Sequence, residues 1–397
     1  MTKLDEFIQE LCPDGVKYLP IPELFITRNG YTPSKANNEF WENGTIPWFR
    51  MDDIRENGRI LTTATQYVSE KAVKGKLFPA DSIIIATSAT IGEHALIKVP
   101  SLANQRFTYL TLKDEFKDCV DMMFVFYYCF RLDEYCKSHL NQGNFASVDM
   151  KQFAAFKFPV PPLPVQCEIV RILDNFTELT AELTAELTAE LTARKQQYAY
   201  YRDKLLTFGD VRGGATSDVV WKTLAEIADI STGSSNTDDA VKGGCYPFFV
   251  RSQQLLAKDE YEYDEEAIIT AGDGVGVGNV FHYINGKYAL HQRAYRIHPA
   301  TDGLLGKYLY HYFVATFPKY IGQQMYQGSV PSIRRPMLNK FQVAIPSLDV
   351  QSRIVNVLDN FDAICTDLSS GLPAEIEARQ KQYEYYRDKL LSFEEKI

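Results

Sequence analysis

Gly272, Gly274, Gly276 and Gly278 follow the apolar run 267–271, and glycines placed after a strand are the residues most able to cradle a phosphate. Their spacing is GxGxGxG, which lacks the third glycine of a dinucleotide fingerprint. The counterpart stretch Ala86 to Gly92 holds a single glycine, so a tight hairpin turn is the reading. No GxxxxGK[ST] string occurs, and ATP hydrolysis has no phosphate loop to use. The six histidines His94, His139, His282, His291, His298 and His311 show no HExxH or other ligand spacing and read as loop or core residues. Asp52 and Asp53 are adjacent carboxylates, but Arg251 and Ser252 stand near their place in the second half of the chain. Seven cysteines form no CxxC pair, which indicates reduced thiols with neither a disulfide framework nor a zinc site. The residue types present make no catalytic constellation and no metal site.

What must position the remaining polar residues is a duplicated frame. Gln166 to Phe208 and Gln351 to Phe393 align without a gap at an offset of 185 residues, with 23 of 43 positions identical. Internal repetition of this kind organises the whole chain. At 397 residues two or three domains are expected. A hydrophobic content of 45% belongs to a packed globular protein. The net charge of −9 argues against nucleic-acid binding by bulk charge alone, so any such site must be a local basic patch or be completed by a partner. The N-terminus is charged and amphipathic, not a signal peptide, and the apolar window Met122 to Phe130 is too short to span a bilayer. A soluble cytoplasmic protein without membrane contact is expected.

Periodicity predicts an N-terminal helix over 3–11 within the segment 1–15, then an α+β globular domain over 16–162. Its strands include 82–87 and 107–112, and a helix covers 120–140. A helix spans 163–208, the small polar string 209–218 is a linker, a second globular domain covers 219–347, and 348–397 is the second copy of the helix. Landmarks recur in order through the two globular parts: Ile46-Pro47-Trp48-Phe49 answers Tyr246-Pro247-Phe248-Phe249, Asn104-Gln105-Arg106 answers His291-Gln292-Arg293, and Gln142-Gly143 answers Gln327-Gly328.

Each helical segment, at ~1.5 Å per residue, would extend about 65 Å. Leu179, Leu183, Leu187 and Leu191 recur every fourth residue in the first copy, and Ile364, Leu368, Leu372 and Ile376 hold the same places in the second. Keeping the apolar face while losing the TAEL wording is what a seam between two antiparallel helices requires. A four-residue step overshoots a turn by about 40°, so the stripe should wind around the helix. Glu178, Glu182, Glu186 and Glu190 form a solvated acidic row. Gly371 and Pro373 predict a break near 369–372, with the helix restarting at Pro373. Tyr198, Tyr201 and Arg202 recur as Tyr383, Tyr386 and Arg387. These suit packing against the globular parts and equally a docking surface used twice by a symmetric partner.

Two divergent globular domains, each followed by PPLxxQxxIVxxLDxF…QYxYYRDKLLxF or its near copy, resemble the specificity subunit of type I restriction–modification systems. The TAELTAELTAEL run is similar to that of the branch with a tetrapeptide repeat in the central helix (type IC). The resemblance implies two target-recognition domains, each reading one half of a bipartite, asymmetric double-stranded DNA site. It also implies two long helices that set the spacer and hold two methyltransferase subunits, and motor-nuclease subunits bound through them. S-adenosylmethionine, ATP and Mg would then be bound by the partners, with no cofactor and no catalysis in this chain.

Base reading requires Arg, Lys, Asn, Gln, Ser or Thr on loops that reach a groove edge. In the first domain position selects Arg28, Asn29, Tyr31, Lys35, Arg50, Ser88, Thr90, Gln105, Arg106 and Asn144. In the second it selects Thr232, Ser234, Asn236, Arg251, Ser252, Gln253, Gln292, Arg293 and Ser329. A scaffold with two protein-binding heads on a coiled-coil spacer, without DNA, is the competing reading; an enzyme with its site between the heads is another.

Overall fold

The computed structural model describes residues 2–141, 146–208, 219–323, 331–366 and 371–396. The chain forms two compact units, Met1–Thr184 with Ala378–Ile397, and Ala185–Glu377. Each unit therefore holds one globular head, the nearer half of the long first helix and part of the second helical segment.

In the first unit a five-stranded sheet has the order Phe25–Asn29, Phe107–Leu112, Ser82–Ala86, His94–Ile97, Ile60–Leu61. A smaller sheet joins Tyr67–Val68, Ile46–Phe49 and Leu102–Ala103. The strand Ser82–Ala86 is buried along its whole length because both faces are covered. Alternation sends Ile83 and Ile85 to one core, under the helix Met122–Ser138, and Ile84 and Ala86 to another, against the smaller sheet.

The second head repeats this plan. Its six-stranded sheet runs Ala228–Thr232, Ala294–Pro299, Tyr263–Ala271, Phe281–Leu290, Tyr246–Phe249, Leu256–Lys258, with Ile268 packed among the core that includes the helix Gly306–Gly322 and Ile269 on the opposite face. The parallel pairing of Phe49 with Ala103 has its equivalent in that of Phe249 with Leu290. One difference is that Phe281–Leu290 is unbroken, whereas the first head divides the corresponding stretch into His94–Ile97 and Leu102–Ala103. Pro100 lies in the gap, where it has no N–H to give a ladder. The glycine-rich string is a hairpin connection, but a longer one than the tight turn expected: Tyr263–Ala271 pairs antiparallel with Phe281–Leu290, joined through residues 272–280 with a 3₁₀ turn at Gly274–Gly276.

Each head is closed by its entry and exit strands. Tyr18–Pro20 pairs with Lys157–Pro159, and Val220–Thr223 pairs with Gln342–Ile345, so each excursion begins and ends beside its helix. The predicted N-terminal helix is present at Lys3–Leu11, with a Thr2/Asp5 capping box.

The first helix is continuous over Leu163–Leu205. The second segment is two helices, Leu348–Thr366 and Leu372–Leu390. The restart thus comes one residue before the expected Pro373, which falls in the first turn where its missing N–H costs no helical bond. Leu368, the residues at 369–370, the linker 209–218 and the paired landmarks at 142–143 and 327–328 lie outside the described residues. No described helix is long and apolar enough to cross a membrane.

Candidate nucleic-acid interface and helix seam

The loops named from sequence converge at one end of each sheet. In the first head the Asn104 amide donates to the Phe49 carbonyl (3.0 Å), the Tyr31 amide to Ala103 (2.8 Å) and the Thr87 amide to Arg106 (3.0 Å). The Thr32 hydroxyl bonds the Gln105 side chain. These contacts gather Tyr31, Arg50, Ser88, Gln105 and Arg106 into one rim, with Gln105 and Arg106 exposed. Gly30 permits the convergence, because a Cβ there would lie 2.3 Å from the Asn104 carbonyl oxygen.

The second head reproduces the bonds with different side chains. His291 donates its amide to Phe249 (3.0 Å), Ser235 to Leu290 (3.2 Å) and Gly272 to Arg293 (2.8 Å), while Gln292 reaches Asn236. Gly233 takes the place of Gly30, with a hypothetical Cβ 1.9 Å from the Leu290 carbonyl oxygen. The Arg106 amide is held by the Asn104 side chain at 2.9 Å and the Arg293 amide by His291 Nδ1 at 2.9 Å. A nitrogen that accepts must be unprotonated. Burial, with Arg251 and Arg293 adding to it, moves the His291 pKa down, consistent with that role.

Other selected residues are held by their own domain. Arg28 gives Nη2 to the Lys76 carbonyl (2.7 Å) and lies 3.8 Å from the Phe78 ring centroid, and Asn29 accepts from Thr108. Tyr31 bonds the Ala72 carbonyl and the Lys74 amide through its hydroxyl. The Ser234 amide donates to Glu262, and the Thr232 carbonyl accepts from Tyr263. Lys35, Ser252 and Gln253 are exposed and Thr90 half-buried; Asn144 and Ser329 lie outside the described residues. The adjacent carboxylates have a structural explanation. Asp53 is fully buried and accepts from the Arg50 amide (2.7 Å), the Thr65 amide (2.6 Å) and the Thr65 hydroxyl (2.8 Å). It caps the helix Met51–Asn57. No group of three or more potential metal ligands occurs among the described residues.

Sequence reading missed Asp273, whose position between Gly272 and Gly274 was absorbed into the turn. It receives Arg251 Nη1 at 2.7 Å and Arg293 Nη1 at 3.3 Å. Burial alone would raise its pKa, but the two guanidiniums outweigh burial and hold the carboxyl below its ordinary range. Val275, at the tip of the same turn, is 94% exposed.

The helix contacts are duplicated to the residue. Phe176 stacks on Tyr386 with centroids 6.1 Å apart, and in the other unit Tyr201 stacks on Phe361 at 5.9 Å. In the first unit the Thr177 hydroxyl lies 2.9 Å from the Tyr383 hydroxyl; in the second Tyr198 also approaches Phe361. The start of one helical segment thus meets the end of the other in both units, an antiparallel arrangement.

Leu187 is buried and Leu183, Leu191, Leu372 and Ile376 half-buried, but Leu179 is 59% exposed and Ile364 lies outward beside buried Cys365. That is the winding which the four-residue step predicts. The four glutamates of the TAEL row are exposed. Arg387 is buried over the Phe130 ring at 4.2 Å, and Arg202 pairs with Asp203 at 3.0 Å. Their neighbours Tyr200 and Tyr385 stand open at 60% and 63%. The repeated helix ends therefore pack inward on one face and leave equivalent aromatics free on the other.

A family model described as "Type I restriction modification DNA specificity domain" matches residues 13–193 and again 216–378. Among curated proteins the chain is 44% identical to the type I restriction enzyme EcoprrI specificity subunit of Escherichia coli over 373 residues, 90% of each chain. It is 34% identical to the EcoR124I/EcoR124II specificity subunit of the same organism over 284 residues, covering 64% of this chain and 68% of that one. Two solved structures share the fold. One, from work on complex assembly and conformational transition of the type I R-M system, has a TM-score of 0.69 at 15% identity, covering 96% of this chain and 98% of that one. The HsdS subunit from Thermoanaerobacter tengcongensis gives 0.57 at 14% identity, with 96% and 97% covered. With both of its halves matched separately by the same domain model, this chain belongs to the type I restriction–modification DNA specificity family.

Proposed function

We propose that the chain is the DNA-reading, non-catalytic specificity subunit of a type I restriction–modification complex. Each head reads one half of a bipartite, asymmetric site. The observation that carries this reading is the pair of equivalent loop rims: one backbone scheme, written twice, that keeps the exposed Gln-Arg pair at 105–106 and 292–293 and differs at Ser88 against Asp273. A scaffold with two protein-binding heads accounts for the helices but gives no reason for family membership, and is not favoured.

Finer assignments extend the same reading. Two methyltransferase subunits dock on the two equivalent helix-end surfaces where Tyr200 and Tyr385 stand open beside Tyr201 and Tyr386, and motor-nuclease subunits join through them. S-adenosylmethionine, ATP and Mg are bound by those partners, not by this chain. The assembly works in the cytoplasm, on chromosomal and invading duplex DNA. The TAEL run supports a place in the type IC branch, with the repeats setting a length. The chain's negative charge fits an assembly in which partners share the phosphate contacts.

Charge reversal on the rim tests the DNA assignment. In a complex assembled with the methyltransferase, Arg50→Glu or Arg251→Glu should weaken binding to the cognate duplex by roughly tenfold or more, since a lost base or phosphate contact costs about 1–3 kcal/mol and the new charge repels. Mobility shifts at several salt concentrations measure this. Wild-type affinity throughout would remove these residues from the interface.

A further inference from the structure

The Arg251–Asp273–Arg293 cluster is built on the same backbone frame in both heads, yet only the second head carries the carboxylate. Asp273 bridges to Ser332 as Ser88 bridges to Ser147. The residue before each is held alike: Thr87 and Gly272 receive the amides of Val148 (2.9 Å) and Ile333 (2.8 Å). Asp273 and Ser88 are thus equivalent positions with different chemistry. A carboxylate on a surface meant for DNA repels phosphates, so its presence needs a compensating use. Here it holds two guanidiniums, which leaves the cluster with a net charge of +1.

Arg251 donates to Asp273 through Nη1 and makes no other side-chain hydrogen bond among the described residues. Its side chain is 40% exposed and lines a shallow pocket of about 360 Å³ with Asp273, Ser252 and Val275. A guanidinium has five donors in a rigid fork. Anchoring one edge on a carboxylate fixes the plane of the fork and leaves its other edge to make paired bonds. Guanine O6 and N7 are the base-edge acceptors which that fork matches.

We propose that Asp273 is a specificity-determining positioning residue of the second head, orienting Arg251 to read a guanine in the half-site that head recognises. Ser88 cannot hold an arginine in this way; in the first head Arg50 instead lies 3.5 Å from Asp52, a neighbour on its own helix turn, and reaches Thr65. The inference rests on the DNA-reading function proposed above and adds one residue-level rule to it.

The test uses Asp273→Asn, which keeps shape and removes charge, and Arg251→Lys, which keeps charge and removes the fork. Each full-length variant is assembled with the methyltransferase. Methylation is mapped on a genome, and binding is measured on duplexes substituted singly along both half-sites. With either variant, preference for guanine should fall about tenfold to a hundredfold at one position of one half-site, with the other half-site read as before. Unchanged discrimination at every position would overturn the inference, and so would a uniform loss of affinity with specificity intact. Thermal unfolding of Asp273→Asn should match wild type; if that variant is destabilised, Asp273→Ser, which brings in the residue of the equivalent position in the first head, is read in its place. A wild-type complex that methylates no bipartite site would sink the underlying function, and the inference with it. A wild-type bipartite pattern untouched by both variants would sink the inference alone.

Discussion

Deleting one TAEL unit, Thr184 to Leu187, is expected to shorten the gap between the two half-sites by roughly one or two base pairs, because four residues of helix rise about 6 Å against about 3.4 Å per base pair. Both half-sites should remain as they are, since neither rim contains these residues. The phase of the helix changes by only about 40° on such a deletion, so the apolar positions at Leu179, Leu183 and Leu191 stay near one face. Deleting Ala185 alone rotates everything beyond it by about 100°, taking Leu187 out of its buried position. That variant should lose methylation altogether instead of changing its spacer. Mapping methylated sites for the two deletions separates these outcomes. An unchanged spacer in an active four-residue deletion would end the view that the repeat sets a length.

Replacing Gln166 or Gln351 by Ala should destabilise its own unit by about 3 kcal/mol or more, since each leaves three backbone groups without a partner at about 1–3 kcal/mol apiece. Both side chains are fully buried. Gln166 accepts from the Asp121 amide (2.8 Å) and donates to the carbonyls of Cys119 (2.8 Å) and Pro161 (2.6 Å). Gln351 accepts from the Leu305 amide (2.9 Å) and donates to Gly303 (2.9 Å) and Pro346 (2.8 Å). Each therefore fastens the start of the long helix to the entry of the head's own large helix. Denaturant unfolding, with hydrogen exchange to locate the loss, would measure the effect. The two variants should agree to within about 1 kcal/mol, each weakening a different unit. A cost below about 1 kcal/mol for either would show that the amide does not act as a staple.

The helices were readable from sequence because their constraint is local and repeated. Gln166 and Gln351, Phe176 and Phe361, and Tyr201 and Tyr386 fall at one offset, and the structure gives each pair the same contacts. The large helices of the heads do not share their solution. Where Tyr127 donates to Asp174 at 2.6 Å, His311 meets Asp359 at 2.7 Å. The same carboxylate of the repeated LDNF string is thus satisfied by a tyrosine in one head and a histidine in the other. Burial holds the His311 pKa down although Asp359 opposes the shift.

The heads were harder to read, since their likeness lies in backbone hydrogen bonds that many side chains permit. Landmarks such as Asn104-Gln105-Arg106 and His291-Gln292-Arg293 are visible because the Gln-Arg pair is kept, each after a residue whose side chain accepts the backbone amide two positions on. Asp273 is not, because a lone Asp between glycines also suits a turn, and only the fold brings Arg251 and Arg293 to it. Arg28 and Tyr31 are selected by residue type, and the fold gives each a partner of its own besides: the Lys76 carbonyl takes one guanidinium nitrogen of Arg28 and the Ala72 carbonyl takes the Tyr31 hydroxyl.

Two heads on a duplicated helical frame read two unlike half-sites. Long-read methylation mapping of cells expressing the chain with its methyltransferase tests it most directly. One asymmetric motif in two parts is expected, separated by a fixed number of unspecified base pairs, with a methylated base in each part. A single continuous motif, a palindrome, or no methylation dependent on this chain would contradict it.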